Sequence, residues 1–161
     1  MPKLISKELT EDLHRRLCGT FVDEYANQVI LVHTVDSKGW PHPAILTYFE
    51  VAAVDRRNVR LAAYKTSNTT ENMRRSGKVT LSIFDQRVTY YVKGVASEVC
   101  REMLSAEHNS KFKVSVEEVL VDQADPVLEP GAYIASGITY AVPGADMDRA
   151  RRAAILKELL E

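Results

Sequence analysis

From Val29 to Val35 the chain reads VILVHTV, an almost unbroken apolar run rich in β-branched residues. Such a run fits a pleated surface covered on both faces, and its length suits a strand better than a helix. Asp36-Ser37-Lys38-Gly39 follows at once, and Gly39 takes a positive φ at little steric cost. A returning strand from about Ala44 to Val51 completes a hairpin, which commits this part of the chain to antiparallel sheet.

The same punctuation recurs downstream. Asp55-Arg56-Arg57-Asn58 makes a second turn before a strand from Val59 to Tyr64, and Val79, Leu81 and Ile83 then alternate with Thr80 and Ser82. Val88 to Val99 is long enough to bend around a barrel, with Gly94 as its bulge or corner, and Tyr133 to Val142 supplies a sixth strand. Leu9, Leu13 and Leu17 recur every fourth residue after a capping Ser6, which predicts an amphipathic helix over residues 7 to 18. A short helix is expected near Arg101 to His108. A closing one is expected over Asp146 to Leu160, with Ala150, Ala153, Ala154, Leu156 and Leu160 as its apolar positions. The sum is a mainly β chain, a small six-stranded antiparallel barrel with peripheral helices.

Composition narrows the functional classes. The 161 residues are 45% hydrophobic and carry no Pro/Gly-rich linker, as expected of one domain over 1–161. Lys and Arg number 21 against 22 Asp and Glu, so the chain lacks the basic field that sequence-independent nucleic-acid binding needs. Cys18 and Cys100 lie far apart and outside any CxxC pattern, which points to a reduced, cytoplasmic setting. The first residues carry charges where a secretory peptide needs an apolar core, and no run approaches a bilayer span, so a soluble protein without a membrane partner is expected.

Chemistry concentrates between Tyr64 and Gly77, where the chain reads YKTSNTTENMRRSG. Asn68 followed by Glu71 is a helix N-cap signature, and a helix N-terminus offers free N–H groups and partial positive charge to an anion. Thr66, Ser67, Thr69 and Thr70 add hydroxyls, and Lys65 adds a charge. A phosphate group is the ligand such a turn suits.

Three pieces, in this order and spacing, resemble the pyridoxamine 5'-phosphate oxidase-like, FMN-binding split-barrel superfamily: VHTVDSKGWPHPAIL, NTTENMRRSGKVTLSIF and YYVKGVASEV. The resemblance covers roughly Leu13 to Val99 and implies a Greek-key split barrel, FMN as cofactor, and a homodimer with the cofactor clefts at the subunit interface. It implies that His42, Pro43, Ala44, Ile45, Leu46 and Thr47 line the flavin ring and ribityl chain, and that Ala62 and Ala63 approach from the next strand. It further implies that Ser67, Asn68 and Thr69 face the phosphate, to which Lys65 would add its charge as a further cofactor-binding residue, and that Thr89 reaches the ring edge. Authentic vitamin B6 oxidases carry an Arg where Ala44 stands and an Arg-Lys pair where Asn68 and Thr69 stand, and their basic carboxyl-terminal substrate segment is replaced here by PGADMDRARRAAILKELLE. The expected activity is therefore flavin-based hydride or electron transfer to another small-molecule substrate. The alternatives are a non-catalytic binding or stress module that has lost flavin, and a variant that binds haem or deazaflavin.

Other candidate chemistry is weaker. His14, His33, His42 and His108 form no pair at helical ligand spacing, so no metal site is expected, and His42, between Pro41 and Pro43 on the matched rim, is the one placed to contact a flavin or a substrate. No Gly-x-Ser-x-Gly elbow is present, and no catalytic residue is assigned. The basic groups Arg56-Arg57, Arg74-Arg75-Lys78 and Arg149-Arg151-Arg152 read as solvated faces, and Trp40, Tyr90 and Tyr91 as packing residues.

Overall fold

The computed structural model describes residues 1–141, 143–144 and 148–161. In chain order the elements are β1 (Lys3–Ser6), α1 (Glu11–Leu17), a 3-10 turn (Val22–Tyr25), β2 (Val29–Val35), β3 (Pro41–Thr47), β4 (Val51–Ala53) and β5 (Asn58–Tyr64). They continue with α2 (Asn68–Ser76), β6 (Lys78–Asp85), β7 (Val88–Cys100), β8 (Asn109–Asp122) and α3 (Arg149–Leu160).

All eight strands form one antiparallel sheet in the order β3-β2-β6-β7-β8-β5-β4, with β1 added on β8. Two hairpins, β2-β3 and β4-β5, thus flank the β6-β7-β8 meander, and the sheet curls into a half-barrel. Its concave face holds the main core, which includes Ile30, Val32, Leu61, Leu81, Ile83, Phe112 and Val114. A second cluster lies on the other face of β4 and β5, where Ile155, Leu156 and Leu159 of α3 cover Phe49, Ala52 and Ala62.

Eight strands rather than six correct the expected count. The largest omission is β8, in a stretch where residues 109–122 carry charges at positions that only the sheet's outer face explains: Phe112 and Val114 are fully buried while Lys113 is not. The helix expected near Arg101 to His108 is a series of bends leading into that strand. The strand expected over Tyr133 to Val142 is irregular chain across its described part, touching the sheet through one bridge, Thr139 to Gln28, while Val142 lies outside the described residues.

Helix limits also move. Thr10, not Ser6, caps α1 by accepting a hydrogen bond from Leu13 N, because Ser6 is the last residue of β1. Leu9, Leu13 and Leu17 are nonetheless buried together as their spacing requires. The closing helix begins at Arg149, and Asp146 lies outside the described residues. The returning strand is two strands, parted at Tyr48 to Glu50 by a turn in which the Glu50 N–H donates to Thr47 O. Gly39 does take its positive φ, 88°, in a turn held by Asp36 Oδ1, which accepts the N–H groups of Lys38 and Trp40.

Candidate functional site

Strand alternation divides the residues expected on β3 between two faces. Leu46 belongs to the barrel core, and His42 and Ala44 share its side, whereas Ile45 is 53% exposed and stands with Pro43 and Thr47 on the outer face. The same alternation separates Ala62 and Ala63 on β5. Ala63 faces the core, and Ala62 is sealed beneath α3 in the second cluster.

The α2 start has the expected position and a different cap. Ser67, rather than Asn68, is the N-cap, its hydroxyl accepting from Thr70 N at 3.2 Å. Glu71 accordingly falls one position beyond a capping box and pairs with Arg74 instead. Asn68 is exposed, Thr69 is buried, and Lys65 pairs with Glu102 at 2.7 Å, so its charge is balanced within the chain. Thr89, on β7, is buried and lies three strands from β3, roughly 14 Å at the usual strand spacing.

One groove of about 370 Å³ collects the outer-face residues of this region. Ile45 and Thr47 of β3 form one wall, Tyr64 and Asn109 come from the paired ends of β5 and β8, and Arg151, Arg152 and Ile155 close it from α3. Tyr64 immediately precedes the α2 turn, whose Thr70 hydroxyl donates to Tyr64 O at 2.9 Å, so the groove and the helix N-terminus share one anchor. Arg152 lies over the Phe49 ring at 4.3 Å. Its guanidinium is thereby held at the groove rather than released into solvent.

Glu50 is the group in this groove that the sequence reading passed over. Its Oε2 accepts both the backbone N–H of Thr47 at 2.8 Å and the Thr47 hydroxyl at 2.9 Å. Burial pushes its carboxyl above the ordinary glutamate value, against the two Thr47 hydrogen bonds and the Arg152 charge, which pull it down. A raised folded value means that the folded state holds the proton more tightly. Glu50 therefore contributes stability at pH below the ordinary value and loses it as pH rises through the raised one. Glu50→Gln should remove that loss, so that melting temperatures of variant minus wild type, followed against pH, increase across this interval. A flat difference would show that burial does not govern this carboxyl.

Asn109 and the arginines were missed for separate reasons. Asn109 opens the unrecognised β8, and Arg151 and Arg152 looked like a solvated helix face until α3 folded back over β4 and β5. Glu50 sat inside what read as uninterrupted strand. A carboxylate three residues after a threonine at a strand end was the available signal, since that spacing suits a side chain that closes a turn.

No family model matches the chain. An uncharacterized protein of Bacillus subtilis, YclD, is 31% identical over 85 residues, covering 53% of this chain and 55% of its own length. The chain thus spans about half of that relative. Among solved structures, a histidine-to-alanine variant of HupZ from Group A Streptococcus superposes with a TM-score of 0.55 at 17% identity, over 71% of this chain and 99% of that one. A Lactobacillus delbrueckii protein provisionally described as a pyridoxamine 5'-phosphate oxidase gives 0.52 at 20% identity, over 74% of this chain and 98% of that one. The chain has the fold of the pyridoxamine 5'-phosphate oxidase-like split barrels. Among the described residues no helix is long and apolar enough to cross a membrane.

Proposed function

We propose that the protein is a homodimeric FMN-binding oxidoreductase that carries hydride or electrons to a small-molecule substrate. When bound, the flavin supplies the redox chemistry, and the protein's part is to bind, orient and shield it. The observation that carries this reading is the groove that runs from Ile45 and Thr47 to Tyr64, whose carbonyl accepts from the Thr70 hydroxyl in the first turn of α2. Its volume of about 370 Å³ falls within the roughly 300–1,000 Å³ usual for cofactor sites. The N–H groups of Asn68 and Thr69 open the helix, where no helical partner exists for them, and they suit an anionic tail.

A second copy of the chain is part of the proposal. On the outer face of the sheet, Ile45, Leu31, Ser82, Tyr91, Leu120 and Leu4 form one cross-strand row through six strands. Ile45 and Leu4 at its ends are 53% and 56% exposed. A row of this length, apolar except for the buried Ser82, favours burial against another sheet face. Fluorescence quenching of FMN titrated with the protein, run beside sedimentation velocity, should give saturable binding and a particle of twice the chain mass. Unquenched FMN at high protein concentration would remove the flavin reading, and a monomer would remove the shared cleft.

A second reading, a split-barrel module that has lost its cofactor, is favoured by the pairing of Lys65 with Glu102 and by the sealing of Ala62 under α3. With Asn68 and Thr69 uncharged, the helix start then depends on its backbone dipoles alone. A colourless protein that takes up neither flavin, deazaflavin nor haem on reconstitution would establish this module, and the visible spectrum separates the three cofactors.

A further inference from the structure

Resting on the flavin reading above, the geometry points to Glu50 as a positioning residue that fixes the Thr47 hydroxyl as a hydrogen-bond acceptor toward the groove, so that the ligand edge meeting it carries an N–H donor. A threonine hydroxyl has one donor proton and two acceptor lone pairs. Thr47 Oγ1 commits its proton to Glu50 Oε2 at 2.9 Å, and the same oxygen takes the Thr47 backbone N–H at 2.8 Å. Only lone pairs are left for a ligand. The arrangement holds in either protonation state, because a proton taken up by the carboxyl goes to Oε1, which has no hydrogen-bond partner among the described residues.

Asn109 is a second polar side chain of the groove. It is 3% exposed, lines the same groove, and its side-chain amide makes no hydrogen bond among the described residues. The amide is open to the groove, so a ligand group entering there meets a polar side chain that no other residue has claimed. Arg151 places a further donor on the opposite wall. Asp148 adds a carboxylate to the same lining, and Thr47 is the hydroxyl whose direction a neighbouring carboxyl fixes.

Oxidised isoalloxazine has a single ring N–H, at N3, and it lies between the C2 and C4 carbonyls. The pyrimidine edge would therefore be held at Thr47, with Ile45 and Tyr64 as apolar lining. A site built to accept such a hydrogen discriminates strongly against an analogue lacking it, because its own polar groups are then left unpaired.

Isothermal titration of the full chain with FMN and with N3-methyl FMN tests the assignment. Methylation should weaken binding to the wild type about tenfold, the equivalent of one to two lost hydrogen bonds. In Thr47→Val the ratio of the two affinities should fall to near one, and in Thr47→Ser it should be kept. Glu50→Ala should lower the ratio to about threefold, and Glu50→Gln, whose amide oxygen accepts the same two bonds, should restore it. If Glu50 merely holds the turn, its alanine variant weakens both ligands alike with the ratio unchanged, which overturns the inference. Should that variant not fold, the Thr47→Val and Thr47→Ser pair reads the same ratio. Equal wild-type affinity for both ligands also overturns the inference while the flavin reading stands, whereas failure to bind FMN at all removes both.

Discussion

Gly94→Ala is expected to cost roughly 3 kcal/mol, the upper end of the range for an over-packed interior. A Cβ at this position would lie 2.4 Å from Ser115 O and 2.7 Å from Val114 Cγ1. The first of these is backbone of the neighbouring strand and has nowhere to retreat. Gly94 pairs with Val116 where the β7-β8 register shifts, so the strand bends across its partner at the one residue that leaves room. At the usual size scaling, the loss should lower the melting temperature by roughly 6–12 °C. Gly39→Ala is the control: its φ of 88° is strained for alanine, but no atom lies within 4 Å, so the cost there is only about 1–2 kcal/mol. If the two variants melt together, close approach of the strands is not what selects glycine at 94. The consequence reaches the site as well, because β8 carries Asn109 at its first residue and a displaced strand moves the groove wall.

Gly94 was legible in the sequence, as were β2, β5, β6 and β7, because each has a local signal: β-branched runs, period-two alternation, or a glycine inside a long strand. What escaped was decided at a distance. In β8, Lys111, Lys113, Glu117 and Glu118 interrupt the apolar pattern, and the strand is specified by its pairing with β5, β7 and β1 rather than by its own composition. Lys111 shows the point: it is 9% exposed, and its Nζ donates to Glu158 O of α3 at 2.7 Å. A lysine that reads as solvent-facing is thus a tertiary contact. The site follows the same division. The α2 segment is legible as an element and the returning strand in part, since it divides at Tyr48 to Glu50, but which β3 residues face outward depends on register, and the arginines of α3 join them only because Ile155, Leu156 and Leu159 find an apolar seat on Ala52 and Ala62. Glu158 then fixes the helix by accepting the N–H groups of Leu104 and Ser105 at 3.0 and 2.7 Å.

The same dependence on distant partners makes Asp85→Ala the second large effect. Arg16 on α1 is only 5% exposed, its Nη2 donates to Asp85 Oδ2 at the end of β6, and its guanidinium lies 4.6 Å over the Tyr25 ring. Tyr25 in turn stacks on Tyr48 with ring centroids 5.0 Å apart. Nε and Nη1 of Arg16 have no hydrogen-bond partner among the described residues, so Asp85 is the principal charge compensation for a buried cation. Removing one partner of a buried pair costs about 3–5 kcal/mol, and the 35% exposure of Asp85 brings the expected loss to roughly 2–3 kcal/mol. Arg16→Met should cost less, because the Asp85 carboxylate is free to hydrate and an unbranched side chain still covers the tyrosines. The double variant should resemble Arg16→Met alone, since without the buried cation there is nothing left for Asp85 to compensate. Urea unfolding of the wild type, both single variants and the double variant closes the cycle, with a coupling of about 2 kcal/mol expected. Additive losses would mean that solvent already screens Arg16 and that α1 is held to the barrel end by Leu9, Leu13 and Leu17 alone.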